Sequence, residues 1–464
     1  MDKLSNAVQL VLGLGSLNSS SAVGSPSALS ACQQLGATFN NNATFSQTAW
    51  DQPTCIFLPE TTAQMQTAIP LIVGHQSKFA VRSGGHMAAK GVASTDDGVL
   101  VDLSRLRRLE YHAEAKEVVL GPGLRWRDVY DYLDTYKVTV VVLADGSLVN
   151  ANAVSRPDLY RALKGGSNNF GVVTAYTLST YSINDAWGGT KVFSWDKTGA
   201  VLDAITAYQH LPDKDPYANM NLNAAATNQT GLGVILTLVY LKPVEKPEIF
   251  SDFYKIEALM DTTGLKTPTN IMGEFPTPAV PRVKHWTTTH KATKSMQKAI
   301  EHIMATTPHL ATIKSVPTGT GVFSWQPIAP SLVEAGRRNN NDDGHALSLE
   351  PVAQNRFHLD VLWASAADDD KIGRAAQAIV DEVEGAARRE GSYLPYLFMN
   401  DAPEGAPVIA SYGVENVRQL WEVSERYDPD QVFQKLLPGS FKLPPSGWDQ
   451  SNPWGPQKGR RRAS

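Results

Sequence analysis

Short β-prone runs bounded by Gly, Pro or Asp alternate along the first third of the chain with amphipathic stretches. Strands are expected at 53–59, 78–81, 98–103, 118–121, 138–143 and 172–178. Between them, Glu60-Thr61-Thr62 opens a helix with Met65, Ala68, Ile69 and Ile72 on one face. A second helix, 126–133, lines up Val129, Tyr130 and Leu133. A third, 156–163, carries Pro157 near its start. Asp145-Gly146 reads as a tight turn. From about Trp187 the pattern changes to long β runs such as 233–240, with helices at 200–210, 294–304 and 372–389. That predicts an α+β unit whose strands are covered on one face by helices. A last helix, 413–427, sets Val417, Leu420, Trp421 and Ser424 at helical spacing before Asp428-Pro429-Asp430 breaks it. No internal repeat is visible.

At 464 residues the chain exceeds one ordinary core, so two or three domains are expected. A hydrophobic fraction of 42% and a charged fraction of 19% are those of a soluble globular protein. The net charge of −4 and the lack of a basic stripe exclude a nucleic-acid binder. Arg460-Arg461-Arg462 lies in a Pro/Gly-rich tail and reads as a solvated terminus.

Lys3, an apolar run over 7–17 and small residues near Ala22 resemble a secretory signal, too short and polar for a membrane span. Sequons begin at Asn18, Asn42 and Asn228. Cys32 and Cys55 are the two cysteines. In an exported chain such a pair most simply forms one disulfide, the alternative being two buried free thiols.

The densest chemical signal is Phe79-Ala80-Val81-Arg82-Ser83-Gly84-Gly85-His86. Adjacent glycines let backbone N–H groups approach an anion, and a His follows at once. Downstream come Val99-Leu100-Val101-Asp102, then Gly121-Pro122-Gly123-Leu124-Arg125-Trp126, then a second Gly-rich loop, Gly165-Gly166-Ser167-Asn168-Asn169-Phe170-Gly171-Val172-Val173. The plainer alternatives are a surface turn with a chance His and a loop feeding a strand. In Arg356-Phe357-His358-Leu359-Asp360, strand alternation puts Arg356, His358 and Asp360 on one face. That face could line a cleft and offer His358 or Asp360 as a base. On the residues alone, a solvated strand face is preferred. No metal-ligand spacing and no Gly-x-Ser-x-Gly elbow occur.

These motifs, in this order, resemble the FAD-linked oxidases of the vanillyl-alcohol oxidase (PCMH-type) superfamily, most closely the berberine-bridge-enzyme-like branch. The resemblance is strongest over about 52–180. It returns in Phe398-Met399-Asn400-Asp401-Ala402, in Ser411-Tyr412-Gly413, and in Tyr427-Asp428-Pro429-Asp430. It implies an α+β fold: a two-part PCMH-type FAD-binding domain plus an α+β substrate domain with an antiparallel sheet covered by helices. The expected parts are a signal at 1–25, the FAD domain at 50–185 and the substrate domain at 186–390. A C-terminal return to the FAD domain follows at 391–445, then a flexible tail at 446–464. It implies FAD bonded covalently through His86, with Arg82, Ser83, Gly84, Gly85 and Met87 around the pyrophosphate and Gly171, Val173 and Asn400 as further contacts. A disulfide ahead of the flavin domain is common in fungal-type members. The family's Tyr-x-Asn reads Phe398-Met399-Asn400 here, so a hydroxyl is lost at 398. Asn400 could equally be a turn residue, and Tyr412 a packed aromatic.

One departure is large. Between Val141 and Val142 this chain lacks several tens of residues that in the family hold a further glycine-rich flavin loop and a strand. Fewer donors would then face the dianionic pyrophosphate, each lost charge-assisted bond costing roughly 1.5–3 kcal/mol. A gene-model error, a weakly binding variant and a degenerate paralogue all account for the gap. Three functions follow. The first is a monomeric, secreted oxidase that takes a small carbohydrate or secondary-metabolite substrate and O2. The second is a non-catalytic binding relative, and the third a flavin dehydrogenase with another acceptor.

Overall fold

A computed structural model of the protein describes residues 24–38, 45–130, 139–142, 148–180, 183, 185–212, 214–274, 280–338 and 346–445. The first lobe is a parallel sheet of β1 (Cys55–Phe57), β2 (Phe79–Arg82) and β3 (Val99–Asp102), in the order β1-β3-β2. Helix Thr62–Gly74 crosses from β1 to β2 and starts at a capping box between Thr61 and Gln64. It buries Met65, Ala68, Ile69 and Ile72, the four positions its periodicity marks. Helix Pro26–Leu35 packs beside it, and the Cys32–Cys55 disulfide ties that helix to β1.

The second lobe is an antiparallel sheet of β4 (Leu109–His112), β5 (Glu117–Leu120), β6 (Thr139–Val142), β7 (Leu148–Ala151) and β8 (Val172–Ser179). Its order is β4-β5-β8-β6-β7. β6 runs unbroken through Val141 and Val142, where the sequence reading expects a gap relative to the family, and pairs with both β7 and β8. Its register against β8 shifts between Val140 and Val141. The expected second helix is found as Trp126–Tyr130; its remainder and the Asp145-Gly146 turn lie outside the described residues.

Among the described residues the largest sheet has nine strands: β9 (Ala186–Ser194), β10 (Ala218–Thr227), β11 (Gly233–Tyr240), β12 (Met260–Asp261), β13 (Gly264–Lys266), β14 (Arg282–Lys291), β15 (Thr320–Ile328), β16 (Gln354–Trp363) and β17 (Tyr393–Leu394). Helices Thr198–Gln209, Lys294–Thr306, Pro308–Lys314 and Asp369–Arg389 cover one face. Leu222, Leu236, Phe323, Phe357 and Leu359 point into that core. With a period of two, the opposite face carries Asn221, Asn223, Ser324, Arg356, His358 and Asp360. Asn228, in the β10–β11 turn, is exposed, as its sequon requires.

The chain then returns to the first domain. Helix Val414–Tyr427 packs on helix Pro157–Leu163, and Arg426 bridges to Asp158 at 2.6 Å. Asp428 accepts from the backbone N–H of Val432 and Phe433, starting a short helix whose Phe433 packs edge-on to Phe79. Gly439 lies so close to Gly91 that a Cβ there would stand 1.4 Å from the Gly91 oxygen. No helix among the described residues is long and apolar enough to cross a membrane.

Candidate active site

Arg82 ends β2 directly opposite Asp102 on β3, and the two form a buried salt bridge. Burial pushes the Asp102 carboxyl up, but bonds from Arg82 and Ser104 outweigh it and hold it below the usual range. The turn leaving β2 is therefore anchored at its root. Gly85 adopts a left-handed φ of 64°, which a side chain resists. Among the described residues, the backbone N–H groups of Gly84, Gly85, His86 and Met87 donate no hydrogen bond. Four free donors on a turn of this shape form a nest for an anion.

A cavity of about 670 Å³ opens on this nest, lined by Ser83, Gly84, Gly85, His86 and Met87 from the first loop and by Asn168, Gly171 and Val173 from the second. Ser440 closes it from the C-terminal return. Both glycine-rich loops thus line one cavity. Arg82 is not among its lining residues; its Nη2 donates to Asp102, while its Nη1 is buried without a hydrogen-bond partner. The free N–H groups, the close approach at two glycines and the cavity's extent fit a diphosphate-bearing flavin.

His86 is open to the cavity, with Phe45 stacked on its ring at 4.2 Å between centroids. The surrounding protein, with His285 and Arg125 adding to it, holds its pKa below the ordinary value, so the ring is neutral near pH 7. Residues 45–48 bind this turn to the large sheet. Phe45 N–H donates to Gly85 O at 3.0 Å, and Thr48 Oγ1 donates to Ala88 O at 3.1 Å. On the sheet side, Val283 N–H donates to Ser46 Oγ at 2.8 Å and Gln47 N–H to Pro281 O at 2.9 Å.

Two residues beyond Val283, His285 stands opposite Asp360 across the β14–β16 ladder. His285 Nδ1 lies 2.6 Å from Asp360 Oδ1, and Asp360 Oδ2 lies 3.4 Å from His358 Nε2. The other His358 nitrogen, Nδ1, lies 3.4 Å from Asp401 Oδ2. The His358 side chain is 9% exposed and that of Asp401 16%. The preferred sequence reading of a solvated face is therefore corrected at His358: the helices cover the other face of the sheet, and the C-terminal return, through Asp401, covers this one. Burial raises Asp360, but hydrogen bonds from His285 and His358 prevail and hold it well below the carboxylate range. Burial lowers His358, but Asp360 and then Asp401 lift it above 6.5. Asp401 is raised by burial first and by Asp360 second, against the pull of His358, His285 and Arg356.

Arg356 sits over the Phe398 ring at 4.0 Å, so the residue that replaces the family's Tyr supports a cation. Asn400 is exposed on a short turn (Met399–Asp401) and is not among the cavity-lining residues. Tyr412 is a packed aromatic: it stacks on Tyr396, and its hydroxyl donates to Gly165 O at 3.1 Å. Phe45, His285 and Asp401 were not singled out in the sequence. Only the β14–β16 register could have flagged His285, and only adjacency to Asn400 could have flagged Asp401. Among the described residues no cluster of His, Cys, Asp or Glu has a metal-binding arrangement.

Residues 53–152 match the family model described as an FAD binding domain. An FAD-dependent monooxygenase of Arthrobotrys oligospora is 32% identical, over 87% of this chain and 84% of that protein. The bifunctional solanapyrone synthase of Alternaria solani is 30% identical, over 86% and 83%. A Penicillium terrestre FAD-dependent monooxygenase aligns over 468 positions that draw on 87% of this chain, so it carries several tens of positions without a counterpart here. Among solved structures, xylooligosaccharide oxidase of Myceliophthora thermophila superimposes with a TM-score of 0.71 at 16% identity, over 90% of this chain and 99% of that one. Berberine bridge enzyme of Eschscholzia californica gives 0.67 at 12%, over 96% and 99%.

Proposed function

The chain belongs to the FAD-linked oxidoreductases of the vanillyl-alcohol oxidase type, and on that premise we propose that it oxidises an alcohol or C–H group of a carbohydrate or secondary metabolite, with O2 as the final acceptor. The carrying observation is the convergence of both glycine-rich loops and His86 on one cavity, with the Asp401–His358 pair tied beside it through residues 45–48. When bound, FAD supplies a hydride acceptor whose two electrons go on to O2, giving hydrogen peroxide.

This chain's residues divide the remaining work. Ser83 to Met87 cradle the diphosphate, and Gly171 and Val173 line the opposite wall. His86, held neutral, keeps a ring lone pair for covalent attachment. The proton lost by the substrate hydroxyl needs a base whose pKa lies near the working pH. Asp360, clamped by two imidazoles, is a poor one. Asp401 is raised and stands at the end of the network, so we assign it the base. His358, its pKa held above the ordinary value by Asp360 and Asp401, stands between the two carboxylates and steadies Asp401, and Asp360 with His285 balances His358. The Cys32–Cys55 disulfide supports export to an oxidising compartment.

The test is a visible spectrum before and after acid precipitation, followed by a peroxide-release assay over sugars and secondary-metabolite alcohols. A colourless, folded protein would overturn the flavin reading. Flavin that turns over without peroxide would move the acceptor away from O2.

A further inference from the structure

Arg125 lies on the loop after β5, and that loop is locked. A Cβ on Gly121 would stand 2.0 Å from the Leu106 oxygen, and one on Gly123 would stand 2.4 Å from the Leu103 oxygen. Only glycine permits this approach at either position. Ser83 Oγ then donates to Pro122 O, joining the loop to the Arg82–His86 turn. The lock brings Arg125 Nη1 within 3.9 Å of where a Cβ on Gly84 would project.

The Arg125 guanidinium has no carboxylate of its own among the described residues. Asp128 is bridged by Arg107 at 3.0 Å and accepts from the Arg125 backbone N–H, not from its side chain. Among the described residues, then, a cation without a carboxylate partner has its Nη1 close to Gly84, in the turn whose four backbone N–H groups have no acceptor. Each observation points to an anion, and they are independent: one is side-chain charge, the other main-chain geometry. A guanidinium grips phosphate oxygens in pairs and stays charged at any working pH.

We propose that Arg125 is a diphosphate-binding residue of this chain. The inference rests on the flavin reading and extends it to a residue outside both glycine-rich loops.

The test uses full-length protein in a His86→Ala background, where FAD binding is reversible and can be followed by flavin fluorescence. Arg125→Gln should weaken FAD binding about tenfold to hundredfold. It should also flatten the dependence of affinity on salt, because one cation contact is gone. Arg125→Lys should recover only part of the loss, and the unfolding midpoint should not move, since the side chain is exposed. Unchanged FAD affinity would overturn the inference. So would weaker binding with an unaltered salt dependence and a lowered unfolding midpoint, which would mark a structural role. A wild-type protein free of flavin would sink the underlying reading instead; a flavin-loaded wild type with an indifferent Arg125→Gln sinks this inference alone.

Discussion

His358 Nδ1 and Asp401 Oδ2 face each other at 3.4 Å, one from a central strand of the large sheet and the other from the C-terminal return, and neither atom has a hydrogen bond of good geometry. A buried carboxylate and imidazole left in loose contact form a site set to tighten when a third group arrives. Asp401→Asn should lower the rate of flavin reduction by roughly 10²- to 10⁴-fold. Flavin content should not change, and stopped-flow absorbance reads both quantities.

The same assignment fixes a pH dependence. Asp401 must be ionised to accept a proton, and its pKa is raised above 3.8. Activity should therefore fall as pH drops through that raised value, with the acid limb of kcat/KM above the ordinary carboxylate range. An acid limb at or below 3.8 would remove Asp401 from the role.

Asp360 has the opposite sign. Its folded pKa is depressed, so its contribution to stability is present above the unfolded value of about 3.9 and is lost as pH falls through the folded value. Asp360→Asn should flatten the acid side of the unfolding-midpoint profile below about pH 4, measured by thermal melts across pH.

His86→Ala should yield protein whose flavin leaves on acid precipitation, whereas the wild type keeps fluorescence on a denaturing gel. Retention by the variant would place the bond elsewhere.

The Arg82–Asp102 pair is buried on both sides. Asp102→Asn leaves the guanidinium short of a counter-charge, and loss of one partner of such a pair costs about 3–5 kcal/mol. Urea titration should show that loss, together with lower flavin occupancy, because Arg82 roots the turn.

Removing the disulfide by Cys32→Ser and Cys55→Ser opens a crosslink of separation 23. The chain-entropy model puts the cost at about 3 kcal/mol. The same titration, compared with reduced wild type, measures it.

Local chemistry was readable in advance. Gly84-Gly85 and Gly165-Gly166 each carry their turn in their own residues, and Met65, Ala68, Ile69 and Ile72 announce a helix face by spacing. The network around His358 was not readable. His285 and Asp360 are 75 positions apart and meet only because Thr287 pairs with His358 in the β14–β16 register. Arg356, His358 and Asp360 were seen to share a face, but alternation cannot say what covers that face. The cover comes from the Met399–Asp401 turn, about 40 positions on, whose own sequence reads as a bend.

The contact of Gly439 with Gly91, and the bond from Phe79 N–H to Leu436 O, carry a consequence for biosynthesis. The cradle at 82–87 leaves the ribosome early, but the pieces that close it are made some 350 residues later. With domains otherwise folding as they emerge, the first domain must wait, half assembled, through synthesis of the entire second one. On the proposed flavin reading, a chain truncated before residue 436 should bind FAD more weakly than the full chain, since the contacts that close the cradle come last.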